Sequence, residues 1–311
     1  MLELLQLLVD GLLDGGVYAL LGLGLSLTFG CLKRLNLAYG ATAMLAAYIG
    51  VWCHLRYEAS IAVVAIIIVV AATFIGWYVE QLCFSRSDDP GFQSAVGAQD
   101  RLFMTDNGEM VALASSFAIW MQLEQLAVNL LPRHLNPFPS MPIESSWMIG
   151  GIAIRQDRLL LTLLAAVIST GISLWLLHTR AGLSWRAASD HRTAAYLVGI
   201  PVVQLQTIGF ILASALSGIA SFAVLSLDGQ VTPMFGMWVL FKGLVAAMLG
   251  GLGSMLGVLR GGLLLGVVES FSQSLLGAQG REFATYALLL LVLILPRHSD
   301  SGRRASWGIR I

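Results

Sequence analysis

Charged side chains are scarce in this sequence. Asp, Glu, Lys and Arg make up 12% of its 311 residues, about half the roughly 25% of an ordinary soluble domain. Formal net charge is zero and no run of five or more basic residues occurs, so nothing points to a nucleic-acid partner or to an anionic surface. The nucleotide loop GxxxxGK(S/T), the zinc pair HExxH and the nucleophile turn GxSxG are all missing. Their absence removes the usual signatures of ATPase, metalloprotease and serine hydrolase, and the chain is expected not to be an enzyme. Cysteine is rare: Cys31, Cys53 and Cys83 are odd in number, show no CxxC spacing and read as packing residues. The five histidines, at 54, 134, 178, 191 and 298, are scattered rather than gathered at ligand spacing, so no metal is expected.

What the sequence has in abundance is apolar length. Hydrophobic residues make up 57% of the chain and the mean hydropathy is +0.79, more apolar surface than a soluble fold of this size can hide. Lipid must be the solvent for most of it. A membrane-crossing helix needs about 20 mostly apolar residues, and nine segments qualify: 12–30, 36–54, 60–83, 110–131, 159–178, 203–225, 237–254, 256–275 and 282–296. Gly250, Gly251, Gly253, Gly257, Gly261 and Gly262 interrupt and weakly separate the last three, which leaves eight spans with a re-entrant segment as the rival count. The expected fold is one all-α, polytopic transmembrane bundle over residues 1–311, with eight or nine helices and a Gly-rich broken or re-entrant segment near the C-terminus. Met1 to Asp10 lacks the basic residues of a secretory signal, so the first apolar segment is expected to be retained.

The few cations suggest an orientation. With the N-terminus outside, the inner loops and tail receive twelve of them, among them Lys33, Arg34, Arg86, Arg101, Arg180, Arg186 and Arg192, while Arg56, Arg133, Arg155, Arg158 and Arg281 fall outside. The positive-inside rule then favours N-terminus out and C-terminus in. Two polar stretches, Ser85 to Glu109 and Pro132 to Asp157, become an inner and an outer loop.

Charges inside spans are costly and usually face a protein interior or a water path. Glu124, Lys242 and Glu269 are the candidates. Lys242 stands about a turn into its span and can either snorkel to the membrane surface or belong to a path. Glu269, with Ser270, Ser272, Gln273 and Ser274 nearby, makes a polar face; Glu124 reads equally as a helix-to-helix bonding group. Small residues four apart, as at Gly253/Gly257 and Gly262/Gly266, permit either tight helix packing or a broken helix lining a cavity. Asn36, Tyr39, Thr42, Ser214 and Ser217 add polar groups suited to a neutral or zwitterionic solute.

The most informative loop runs from Arg180 to Pro201. It is basic, Ala187, Ala188, Ala194 and Ala195 favour helix, Gly199 can supply a left-handed stop, and Pro201 prevents continuation. A helix of about Ser184 to Val198 is expected there, either as a connector on the membrane surface or as a docking helix for a cytoplasmic partner.

Within that loop Ala194-Ala195-x-x-x-Gly199 resembles the core of the coupling loop by which ABC importer permeases grip their ATPases. With Gly182, Arg186-Ala187 and Leu197-x-Gly199-Ile200 it is similar to the branched-chain amino acid permease family, of LivH and LivM type. The likeness extends to Tyr18-Ala19-Leu20, Gly24 to Gly30, Leu35 to Gly40, Lys242 to Ser254, Gly261 to Gly266 and Glu269. Tyr39 departs from it, standing where the family commonly has His. The resemblance implies a bacterial inner-membrane permease subunit, with the N-terminus periplasmic and the C-terminus cytoplasmic. It also implies a related second permease, two ATPases that bind the ATP, and a periplasmic binding protein. The cargo would be branched-chain or related hydrophobic amino acids, with urea or short amides as alternative solutes and an ATPase-independent carrier or channel as the alternative mechanism. Arg186, Ala187, Ala194, Ala195 and Gly199 would carry ATPase coupling. Asn36, Tyr39, Lys242, Gly250, Gly251, Gly253 and Glu269 are the candidates for the translocation path.

Overall fold

Lipid cannot satisfy backbone N–H and C=O groups, so an apolar chain in a bilayer must bond them within itself. Helices do this at every long apolar segment here. The computed structural model describes residues 2–32, 36–84, 98–131, 136–139, 146–149, 152–252 and 254–294. Its long helices are α1 (Leu2–Leu32), α2 (Ala38–Tyr57), α3 (Ile61–Cys83), α4 (Ala98–Leu130), α5 (Gln156–His178), α8 (Val202–Asp228), α9 (Phe235–Gly250), α10 (Met255–Leu276) and α11 (Ala278–Ile294). Between α5 and α8 lie two short ones, α6 (Arg180–Asp190) and α7 (Arg192–Leu197). Each predicted apolar segment overlaps one long helix. Five of these helices are long and apolar enough to cross a membrane, within α1, α3, α5, α8 and α10, and α9 is a shorter apolar helix.

The boundaries differ in two places. Residues 98–109, expected in a polar loop, form the first turns of α4. The stretch after Pro132, expected as an outer loop, contains β1 (Asn136–Pro137), β2 (Ser146–Ile149) and β3 (Ile152–Arg155). β2 pairs antiparallel with β3, Trp147 opposite Ile154, and β1 pairs with β4 (Gln230–Val231) beyond α8.

α1 is the central element, packed against α5, α8, α9 and α10. Its contact with α10 is a backbone contact: a methyl group added at Gly266 would lie 2.2 Å from the Gly11 carbonyl oxygen, and one at Gly262 would lie 2.4 Å from the Ala19 nitrogen. Small residues at this spacing let helix axes approach where no hydrophobic effect drives association. The Gly-rich segment between α9 and α10 is broken as expected. Gly251 stands at φ 97° beyond the end of α9, and the Ser254 hydroxyl caps α10 by accepting from Gly257 N at 3.3 Å. Packing is served by the same glycines, since a methyl at Gly257 would meet the Gly250 carbonyl oxygen at 2.0 Å. Gly253 lies outside the described residues.

Candidate functional site

Two of the sequence candidates meet. The Lys242 ammonium on α9 donates to Glu269 Oε1 on α10, with the two side chains 1% and 2% exposed. Lys242 therefore does not snorkel; its stem points into the bundle because the counter-charge is there. The Thr285 hydroxyl on α11 donates to the same carboxylate oxygen and accepts from Lys242 Nζ at 2.9 Å. Rings of Tyr18 and Trp238 flank Nζ with centroids at 5.2 and 5.4 Å, inside the range of cation–π attraction.

From Glu269 the charges continue in alternation. Its Oε2 accepts from Arg281 Nε at 3.1 Å, and Arg281 Nη2 donates to Asp14 Oδ2 at 3.3 Å and to the Tyr18 hydroxyl. Asp14 Oδ1 lies 3.7 Å from Arg158 Nη1. Five ionisable side chains thus run Lys242, Glu269, Arg281, Asp14, Arg158 and tie α9, α10, α11, α1 and α5 together. Asp14 and Tyr18 stand one turn apart on α1, as do Arg281 and Thr285 on α11, so each helix turns two groups to one side. The chain is dry at Lys242 and half-exposed at Arg281 and Arg158, both at 31%. Every oxygen of Glu269 already has a donor, so this carboxylate holds helices rather than offering a vacant site. Glu124, by contrast, accepts from Trp120 Nε1 of its own helix at 2.8 Å, and bridges no helices through that bond.

The opposite end of α5, about 30 Å away by helix rise, carries the loop singled out from the sequence. Thr179 caps α6, its hydroxyl accepting from Gly182 N at 3.0 Å. The single helix expected over Ser184 to Val198 is instead two, because His191 takes an extended conformation at φ −139° and ψ 91°. Asp190, His191 and Thr193 are weak helix formers, so the interruption costs little there. α7 ends as predicted. Gly199 stands at φ 85°, Ile200 N–H donates to the Ala195 carbonyl at 3.0 Å and Gly199 N–H to the Tyr196 carbonyl at 3.0 Å. These are the two bonds of a Schellman stop.

α6 is anchored by its inner face. Gly182, Trp185 and Ala188 are buried, Gly182 lies against Leu176 of α5, and the Trp185 ring covers Gly209 of α8 so closely that a methyl there would sit 1.9 Å from Cη2. Arg186 donates to the Leu177 carbonyl at 3.4 Å; Ala187 is half-buried, Ala194 exposed and Ala195 buried. Outward stand Leu183, Tyr196, Leu197 and Val198, the last two 80% and 81% exposed. An apolar tip on a basic loop is the kind of patch that marks a protein contact.

The remaining path candidates stay apart from both sites. Tyr39 is buried and its hydroxyl donates to the Leu21 carbonyl at 3.0 Å, pressed against Gly24 of α1. Asn36 is buried beside the start of α2, and among the described residues its Oδ1 has no bond.

Asp14, Tyr18, Arg158, Arg281 and Thr285 are members of the ionic chain that sequence reasoning did not single out as site residues. One signal was available: Asp14 is an acid inside the first apolar segment, and an intramembrane acid demands a cation. Glu80 was missed likewise; it is fully buried near the end of α3 and accepts from the Thr207 hydroxyl of α8 at 3.2 Å.

Residues 7–295 match the family described as branched-chain amino acid transport system, permease component. The high-affinity branched-chain amino acid transport system permease protein BraD of Pseudomonas aeruginosa is 25% identical over 301 residues, 96% of each chain. The corresponding permease protein LivH of Escherichia coli is 24% identical over 310 residues, 97% of this chain and 96% of its own length. Among solved structures, PsaBC from Streptococcus pneumoniae in complex with Fab aligns over 94% of this chain and 92% of its own at 12% identity, with a TM-score of 0.49. With nearly its whole length matched, the chain belongs to the permease family of branched-chain amino acid transport systems.

Proposed function

We propose that this chain is the permease subunit of an ABC importer in a bacterial inner membrane, carrying branched-chain or related hydrophobic amino acids inward. The observation that supports it most is the anchored pair α6–α7, with its uncovered tip of Tyr196, Leu197 and Val198, on a chain aligned end to end with amino acid permeases. In this reading two cytoplasmic ATPases seat on that tip and bind the ATP, for which this chain has no loop. A second permease chain and a periplasmic binding protein complete the assembly. The N-terminus is periplasmic and the C-terminus cytoplasmic. ATPase closure displaces α6, and Gly182 and Trp185 pass the movement to α5 and α8, between two discrete packings that alternate access.

Lys242 and Glu269 act in this scheme by holding helices, since each is already paired. That also weighs against an ion-coupled carrier, which needs an ionisable group with a vacancy at mid-membrane. Urea or a short amide remains the alternative cargo for the same machine. Labelled leucine, urea and glutamate supplied to the reconstituted complex, with and without ATP, test the reading. ATP-dependent leucine uptake is expected; leucine entry without the ATPases would overturn the importer, and glutamate uptake alone would overturn the substrate class.

A further inference from the structure

Of the five helices long and apolar enough to cross, α3 is the most apolar, yet its last turn carries Glu80, fully buried. A carboxylate inside a span is costly and persists where partners hold it. Glu80 Oε2 accepts from Gln81 Nε2 of its own helix at 3.2 Å, and Oε1 accepts from the Thr207 hydroxyl of α8 at 3.2 Å. Thr207 has another acceptor within reach, the Val203 carbonyl one turn back along α8 at 3.3 Å. A hydroxyl has one proton to give, so the bond across to α3 can be made or released with the proton still engaged. That sets it apart from the contact one turn earlier on α3, where Ser214 lies over Gly76 with no room for a methyl.

This short stretch of α8 is also where α6 bears. The Trp185 ring lies on Gly209, and Phe210 meets Phe84, just beyond α3, with ring centroids 5.1 Å apart. Thr207 and Phe210, three residues apart, share one face of α8, and Gly209 does not. One turn of α8 thus receives α6 on one side and holds α3 on the other. We infer that Glu80 is a positioning residue of the transport cycle, whose bond to Thr207 makes the end of α3 follow α8 when α6 is displaced. The inference rests on the importer reading above and carries its movement one helix further. Apolar packing between the two helices is non-directional, whereas a hydrogen bond is directional and fixes one register. Without that bond a push at Gly209 turns Thr207 back onto Val203 and leaves α3 behind.

The test uses the complete reconstituted transporter. Thr207→Val keeps the branched shape and removes the hydroxyl, Thr207→Ser keeps the hydroxyl, and Glu80→Gln keeps an acceptor oxygen for it. Thr207→Val should continue to hydrolyse ATP while the leucine carried per ATP falls at least about fivefold, the lower end of ordinary coupling between sites. Thr207→Ser and Glu80→Gln should stay close to the parent. A merely structural bond would lower uptake and ATP turnover in proportion, through the amount of folded complex, and leave their ratio unchanged. Spin labels at Leu82→Cys and Ile208→Cys, both exposed near this end, in a chain with Cys31, Cys53 and Cys83 replaced by Ala, read the link directly. Their separation should be the same with and without nucleotide trapped in the ATPases, and a second, longer separation should appear with nucleotide once Thr207→Val is added. An unchanged ratio of transport to ATP in Thr207→Val, a ratio equally lowered in Thr207→Ser, or separations that respond alike with and without Thr207→Val would each overturn the inference. The separations are read whether or not leucine moves, whereas uptake by the parent reports on the importer reading itself.

Discussion

Replacing Glu269 by leucine tests whether the ionic chain is held together at its buried end. Removing one member of a buried pair costs about 3–5 kcal/mol, because the other charge stays buried without compensation. Glu269→Leu strands Lys242 with one hydroxyl and two ring faces, while Arg281 keeps Asp14. Cation–π attraction, worth about 2 kcal/mol when desolvated, offsets part of that, so the expected loss is about 3 kcal/mol. Lys242→Met is milder: Glu269 retains Arg281 and Thr285, and the loss is that of one charged hydrogen bond, about 1.5–3 kcal/mol. The double variant exchanges a desolvated pair for packed apolar groups and should return to within about 1 kcal/mol of the parent. Reversible unfolding of the chain in mixed micelles by added dodecyl sulfate measures all three. A double variant no more stable than Glu269→Leu, or a Lys242→Met loss equal to that of Glu269→Leu, would refute the asymmetry.

Gly199 has open space around it, so its cost on substitution is purely conformational, about 1–2 kcal/mol for a side chain held left-handed. Gly199→Val should lower uptake and transport-linked ATP turnover together while the chain still inserts, and Gly199→Asn should retain most of both; full uptake by the valine variant removes the docking role. Tyr39→Phe loses one hydrogen bond, about 0.5–1.5 kcal/mol, and should leave uptake unchanged if the residue only packs; lost uptake at unaltered stability places it on the path. Gly266→Leu should abolish folding, because its first side-chain carbon already meets the Gly11 carbonyl at 2.2 Å, and a normally folded variant by limited proteolysis contradicts the backbone contact. Leu197→Cys, in a chain without the native cysteines, should resist impermeant maleimide in intact cells while Trp147→Cys reacts; the reverse pattern inverts the orientation.

Much of the architecture was legible because apolar length and the spacing of small residues are local signals. The segments around residues 60–83 and 159–178 could be read from composition alone, and so could the left-handed stop at Gly199. The start of α4 was not, since residues 98–109 are polar enough to pass for a loop. Nor was the break at His191, where alanines on both sides outweigh it in any window. The ionic chain illustrates the harder limit. Lys242 and Glu269 each announce that a partner is needed, but the chain they belong to has its five members on five helices, and Asp14 and Arg281 are 267 positions apart. Pairing of that kind is set by how helices cross, which a single sequence does not print.

The backbone contacts divide the bundle into two plates. α1, α9, α10 and α11 are joined by the glycine crossings at Gly262 and Gly266 and by the ionic chain. α3 and α8 are joined where Ser214 fills the space over Gly76, so tightly that a methyl there would lie 1.8 Å from its Oγ. Interfaces this close do not shear gradually; they hold or they part. A change of shape that keeps both plates whole must therefore be taken up where they abut, along α1 and α8 near Gly24 and the Ala213 carbonyl. α6 touches both: Trp185 covers Gly209 of α8, while Gly182 lies against Leu176 of α5, which Arg158 and Thr162 tie to α1. A force applied at Tyr196 therefore reaches the helices on both sides of the line where α1 meets α8.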